Sequence, residues 1–197
     1  EYIAEKSDIR FTLYHNYSPN YHISTALGNE YVTGADYIEW GSGSAGWLYK
    51  YQMKGLETRI YGFETEIDYQ LTKKINIFTS LSISRGENLS DEIPLSYMPP
   101  DKFIFSSEIN LNPLKIDLIY KQALKQSRLG EFETSTNGYK IIDLNTSFSR
   151  NSNKLMHKFI LGIENILNRE YYNHLSRIKL VMPEKGRSLN MQYRLIF

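Results

Sequence analysis

The feature that most constrains this chain is a two-residue alternation of apolar and polar side chains that recurs about eight times along it. In DIRFTLYHNY, Ile9, Phe11 and Leu13 alternate with Arg10, Thr12 and Tyr14; in RIYGFETEIDYQL, Tyr61, Phe63, Ile67 and Tyr69 alternate with Gly62, Glu64, Glu66, Asp68 and Gln70. INIFTSLSIS, KFIFSSEINL, KIDLIYKQAL, YKIIDLNTSFSR and LMHKFILGIEN repeat the pattern. It ends with Leu189, Met191, Tyr193, Leu195 and Phe197 set against Ser188, Asn190, Gln192 and Arg194. A period of two belongs to strands whose two faces meet different surroundings, and no segment offers a persuasive 3.6-residue stripe. The expected fold class is all-β, with antiparallel strands.

The connections choose between a soluble sandwich and a membrane barrel. LTKKI, LNPLKI and RNSNKL read as tight turns, whereas Ser18–Glu57, Glu87–Asp101, Ser127–Gly138 and Asn168–Lys185 read as long loops. Short turns on one rim and long loops on the other are the plan of a transmembrane barrel, with periplasmic turns and extracellular loops. Several alternating runs also reach the roughly ten residues that a tilted strand needs to cross hydrocarbon, more than the five or six usual in a sandwich. Mean hydropathy is −0.45, which looks soluble, but strands apolar only at alternate positions average out as polar. Sixteen tyrosines and nine phenylalanines suit the aromatic girdles of a barrel. A net charge of +1 makes no case for a nucleic-acid partner, and the lack of cysteine excludes disulfides and thiolate metal sites. Glu1 opens the chain with no basic and apolar leader, so the expectation is a removed signal peptide or a C-terminal fragment.

A set of short motifs also resembles the C-terminal strands of TonB-dependent outer-membrane receptors. They are Gly62-x-Glu64 at a strand start, Pro99-Pro100 before a strand, Asn165-x-Leu167-Asn168-x-x-Tyr171 after the penultimate strand, Pro183-x-x-Gly186-Arg187 opening the last strand, and the terminal Phe197. In this order they cover about two thirds of the chain. The resemblance implies roughly the last eight strands of a plugged barrel of about 22 strands, in the outer membrane of a Gram-negative bacterium, with the plug domain absent from residues 1–197. It further implies uptake of a scarce ligand, first of all a ferric siderophore or another metal complex, driven by the TonB energy-coupling complex through the plug. Phe197 would be the signal read by the barrel-assembly machinery. Its physical counterpart is an aromatic in the lipid-facing register at the periplasmic interface.

His15 and His157 fall in the outward register near strand ends and read as interfacial packing. His22 and His174 fall in or near extracellular loops, where a ligand could meet them. Glu64, Glu66 and Asp68 line the inner face and read as lumenal surface paired across strands. GENLSDE has oxygen ligands without the spacing of a calcium loop. No phosphate loop or nucleophile elbow appears, so no enzymatic activity, resident metal or cofactor is expected. The loop YHISTALGNEYVTGADYIEWGSGSAGWLYKYQ places aromatic anchors among glycine and serine, as recognition loops do. From it Tyr37, Trp40 and Trp47 are candidate ligand contacts, while Tyr49 and Tyr51 read as strand rim. Arg128, Arg177 and Lys179 could hold an anionic metal chelate by charge-assisted hydrogen bonds, or lipopolysaccharide phosphates. The expected ligand-binding set is therefore Tyr37, Trp40, Trp47, Arg128, His174 and Arg177. One competing function class stands beside the receptor: a complete eight-stranded barrel acting as a lipid-modifying enzyme or adhesion protein. Gly62, Ser80, Ser82, Ser84, Ser106 and Ser147 argue against it, because they make a small, smooth inner wall better suited to facing a plug.

Overall fold

The structure is a computed structural model, and it describes residues 2–4, 6–26, 37–39, 47–49, 51–131, 133–153 and 155–197. Eight long strands carry the fold: β2 (Ser7–Ala26), β5 (Tyr51–Thr72), β6 (Ile75–Asn88), β8 (Lys102–Asn110), β9 (Leu114–Ala123), β10 (Tyr139–Ser152), β11 (Leu155–Glu164) and β12 (Ser188–Ile196). Short strands β1 (Tyr2–Ala4) and β7 (Ile93–Pro94) add to the same sheet, and β3 (Tyr37–Glu39) pairs with β4 (Trp47–Tyr49) in a separate ribbon. Every long pairing is antiparallel and joins neighbours in sequence, and the sheet runs as an open path from β1 to β12. Among the described residues β12 is not paired with the first strands, as a closed eight-stranded barrel would require.

Register turns the alternation into two unlike faces. Leu13 lies opposite Phe63 and Phe63 opposite Ile83; Ile109 meets Ile116, Leu118 meets Leu144, Phe148 meets Phe159, and Leu161 meets Met191. All these side chains share one face, and nothing in the sheet covers them: Leu13 is 71% exposed and Met191 79%. In water such a single apolar layer would be untenable, whereas in a bilayer the lipid chains supply the missing partner. The other face is polar and internally paired. Asn76 Nδ2 donates to both oxygens of Asp68 at 3.0 Å, Lys115 bonds Glu108 at 2.7 Å, and Lys121 bonds Asp143 at 2.7 Å. Glu64, Glu66 and Asp68 lie on this face as expected; among the described residues Glu66 alone of the three has a cation near it, Arg10 at 3.9 Å, and Ser82 donates to Glu64 at 3.4 Å. Gly62 has a packing reason: an added Cβ would lie 2.5 Å from the hydroxyl of Tyr14, its cross-strand neighbour, and 2.2 Å from the carbonyl oxygen of Ile83.

Two expectations need correction. The sequence pattern of Ser18–Glu57 predicts a loop, yet β2 and β5 continue through much of it, pairing Tyr21 with Leu56, Ile23 with Lys54 and Thr25 with Gln52. At 22 residues β5 is about twice as long as the roughly 9–11 residues that span hydrocarbon, so its upper part stands clear of the membrane. A register shift between Ser18 and Tyr21 surrounds Pro19, which has no N–H to give to a ladder. His22 accordingly sits in a strand, opposite Gly55, and His15 lies in the middle of β2 rather than near its end. His157 is near a strand end and hydrogen-bonds the Tyr193 hydroxyl at 2.8 Å.

The buried residues are not in the sheet's centre but where the long loops leave it. Leu95, Ala123 and Ile141 are the buried aliphatic residues among those described, and with them lie Thr58, Asn88, Gln126, Thr136, Asp143, Asn165 and His174. The molecule therefore has a wall without a core, topped by a small packed rim.

Candidate functional site

The rim begins with the fastening of the loop between β11 and β12. Asn165 and Asn168 adopt positive φ angles of 50° and 49°, a conformation asparagine tolerates better than most residues. Asn165 then accepts from the Arg169 backbone N–H at 2.9 Å and donates to the Arg169 carbonyl at 2.8 Å, while its own N–H donates to Asp143 of β10 at 2.8 Å. Asn168 accepts from the Arg187 N–H at 2.8 Å, and a Cβ on Gly186 would come within 2.7 Å of its side-chain oxygen. The Tyr171 ring packs on Tyr139 with centroids 4.5 Å apart. The Asn-x-Leu-Asn-x-x-Tyr and Gly-Arg motifs thus join the first and last residues of this loop to each other and to β10.

Three loops then interlock above it. Glu133, from the β9–β10 loop, accepts the N–H of Tyr97 at 2.7 Å and the N–H of Gly130 at 3.0 Å, and its carboxylate lies 3.1 Å from His174 Nε2. The other ring nitrogen, Nδ1, is 2.9 Å from Thr136 Oγ1 and 3.2 Å from Lys179 Nζ. A lysine ammonium can only donate, so Nδ1 must accept, and the single ring proton belongs on Nε2, pointed at Glu133. The imidazole is neutral on this arrangement. Burial, followed by the Lys179 charge, pushes its pKa below the usual histidine value, against the opposing pull of Glu133. Burial also lowers the pKa of Lys179, which donates to the Thr134 carbonyl at 2.9 Å. Ser96 Oγ donates to the Glu131 carbonyl at 2.8 Å and Gln126 Nε2 to the Met98 carbonyl at 2.9 Å. Each loop is thus bonded to at least one other.

The sequence-derived candidates fall into unequal positions around this lock. His174 is 2% exposed, with both ring nitrogens engaged inside the rim. Arg177 is exposed at the surface, its guanidinium 5.9 Å from the centroid of the Tyr97 ring, so these two residues are joined through Tyr97 and Glu133. Arg128 is exposed too, 3.4 Å from Glu87, which also binds Arg59 and accepts from the Tyr61 hydroxyl at 3.0 Å. Tyr37 and Trp47 belong to the β3–β4 ribbon, where Tyr37 lies opposite Tyr49 and Glu39 opposite Trp47. Trp40 lies outside the described residues. Phe197 follows β12 at the short-turn rim and is 99% exposed. In GENLSDE, Asn88 caps its own turn, accepting from the N–H groups of Ser90 and Asp91 and donating to the Asp91 carboxylate at 2.7 Å. Among the described residues no group of three or more His, Asp or Glu side chains is arranged to hold a metal ion. Glu133, Thr136 and Tyr97 were missed as a set, since nothing local in ETST or LSYM announces contacts across 36 to 41 positions.

No protein-family model and no curated protein matches the sequence. Solved structures do match the fold. A copper transporter, OprC, superposes with a TM-score of 0.78 at 20% identity, covering 95% of this chain and 28% of its own. The pyoverdine outer membrane receptor FpvA from Pseudomonas aeruginosa PAO1, bound to pyoverdine, gives 0.68 at 18% identity, over 100% of this chain and 28% of the receptor. The FrpB iron transporter from Neisseria meningitidis gives 0.65 at 13% identity, over 96% and 29%. The chain thus spans less than a third of each of these structures. In fold, the chain is similar to a section of the β-barrel wall and loop rim of these outer-membrane transporters and receptors.

Proposed function

We propose that this chain forms part of an outer-membrane receptor that captures a scarce metal complex in its extracellular loops and passes it inward through the barrel. A ferric siderophore is the first choice of ligand. The single observation that carries the reading is the wall itself, an open sheet of long antiparallel strands, apolar outward and polar inward, under a rim of interlocked loops. A wall of this kind encloses a lumen only when further strands complete it, and a lumen of that width needs a plug. Energy would reach such a plug from the TonB complex, and Phe197 would guide insertion by the assembly machinery. The neighbours in fold include a copper transporter, an iron transporter and a pyoverdine receptor, which supports a metal or metal chelate as cargo. The aromatic segment around Tyr37, Trp40 and Trp47, together with Arg177, supplies the contacts proposed for it. Arg128, already facing Glu87, is the weaker member of the set, and His174 would act by holding the loops in place.

The test is uptake by cells carrying the full-length protein, with ferric siderophores, copper, haem and cobalamin as cargo, before and after collapse of the proton-motive force. The expected result is energy-dependent uptake of one of them. Truncating either tryptophan should weaken binding of that cargo by about 1 kcal/mol or more, as interface aromatics do. No energised uptake of any cargo would overturn the receptor reading, and unchanged affinity in the Trp40→Ala/Trp47→Ala variant would move the site off this segment.

A further inference from the structure

The outward face changes character over a few residues at the top of β9 and β10. Leu118 lies opposite Leu144, one layer higher Tyr120 lies opposite Ile142, and above that Gln122 lies opposite Lys140. This is the order of environments met on leaving hydrocarbon for a headgroup layer: aliphatic, then aromatic, then charged. At that level the face is not flat. A cleft of about 630 Å³ opens there, with Tyr120, Ile142 and the exposed side chains of Leu124 and Leu167 among its lining residues. Leu124 and Leu167 are 49% and 53% exposed, unusual for leucines placed above the lipid belt.

Charge at the mouth of the cleft is predominantly positive. Lys125, Lys140 and Arg169 line it and are exposed, and among the described residues none of their side chains is in an ion pair. The single acid there, Glu170, already accepts from the Tyr172 hydroxyl at 3.0 Å. On the rim away from the cleft, Arg59 and Arg128 are matched by Glu87 and Arg85 by Asp101. The cleft is also preformed, since both backbone bonds from Arg169 to the Asn165 side chain fix the segment carrying Leu167 and Arg169 over the tops of the strands.

We infer that this cleft is a binding site for a phosphorylated, acylated lipid of the outer leaflet. Its phosphate groups meet Lys125, Lys140 and Arg169, and its acyl chains lie along Leu124, Leu167, Tyr120 and Ile142. Apolar lining continuous with the lipid belt selects an acyl chain, and three unmatched cations at headgroup height select an anionic headgroup. A soluble anion would use the cations but leave the leucines in water. The inference rests on the membrane placement proposed above, not on what is transported.

The test reconstitutes the full-length protein into phosphatidylcholine vesicles containing lipid A, or lipid A stripped of its phosphates, and weighs the lipid retained after extraction by native mass spectrometry. Intact protein should retain lipid A and keep little of the dephosphorylated form. The Lys125→Gln/Lys140→Gln/Arg169→Gln variant should retain about tenfold less or lower, given the loss of three charge-assisted contacts. Leu124→Asn/Leu167→Asn should retain less as well, with all three cations intact. Equal retention of the two lipids by the unaltered protein, a comparison that needs no variant, would overturn the inference. So would displacement of lipid A by inorganic phosphate at matched concentration, which would make the cleft a phosphate site. Protein that inserts into the vesicles but binds neither lipid overturns this inference alone, whereas failure to insert at all overturns the membrane reading beneath it.

Discussion

The wall and the rim are built from the same strands but held by opposite means. Along the wall, side chains of neighbouring strands pair face by face, yet the apolar face has no protein partner, so its stability is borrowed from lipid. At the rim, Glu133, His174, Thr136 and Tyr97 are buried or bonded against one another, and lipid plays no part. A defect in the wall should therefore be felt only in a membrane, and a defect in the rim should be felt locally and in any solvent. The comparison also separates two uses of charge. Asp143 and Glu133 are tied into hydrogen-bonded networks, while the three cations beside the β9–β10 cleft are left unmatched.

The largest break in this comparison should come from the wall. Leu161, opposite Met191 on the outward face in the middle of β11, replaced by Arg should cost roughly 2–4 kcal/mol in a bilayer. The neighbouring Gly162→Arg points inward, where an added Cβ would lie 3.0 Å from the side-chain oxygen of Asn145, and should act by crowding rather than through lipid. Reversible unfolding in vesicles and in detergent separates the two: the Leu161→Arg penalty should grow with bilayer thickness and the Gly162→Arg penalty should not. A harmless Leu161→Arg in vesicles would mean that the outward face has been assigned backwards.

A smaller effect is expected at the rim. Glu133→Ala leaves the Tyr97 and Gly130 N–H groups and His174 Nε2 without their acceptor, and stranding the donor of the buried His174 should cost about 1–3 kcal/mol. The loss should appear as faster amide exchange in residues 89–101 and 124–138, with β10, β11 and β12 unchanged. Faster global unfolding, or exchange that rises equally in the wall, would show that rim and wall are one cooperative unit.

The smallest effect is a dependence on pH, and its sign is informative. His174 is held neutral inside the rim, with a pKa below the ordinary value of about 6.5. Once the loops separate, the ring titrates normally, so protons bind preferentially to the separated state. Docking of the loops should weaken as pH falls through about 6.5, and the loss should level off only below the depressed folded-state pKa. Glu133 and Lys179 are the charged groups facing the ring. A charged His174–Glu133 ion pair would produce the reverse trend, docking that tightens on acidification. Amide exchange of Thr136 and Leu175 across this range, with His174→Gln as the reference that cannot titrate, distinguishes the two.

Legibility in the sequence followed the environment each segment occupies. Within the hydrocarbon, lipid on one side and lumen on the other force every second residue apolar, so strand identity, register and the outward face could be read from period two alone. Above it, both faces of β2 and β5 meet water, and YHISTA and YQMKGLE lose the alternation although their backbones stay paired. That is why the segment Ser18–Glu57 read as a loop. The motif residues Asn165, Asn168 and Gly186 were visible because backbone conformations with positive φ or close approach admit few residue types.

What the sequence by itself determined, then, is what depends on neighbours along the chain: an antiparallel all-β wall, its lipid face, and which rim carries the long loops. Tertiary structure alone decided which loops touch. His174 meets Glu133 across 41 positions and Tyr97 meets Glu133 across 36, through single hydrogen bonds that demand no periodic pattern and no unusual residue type. Only the paired strands beneath, by setting the loop ends side by side, bring those residues within reach. For the same reason a histidine that looked like a ligand contact in the sequence lies buried as part of the lock.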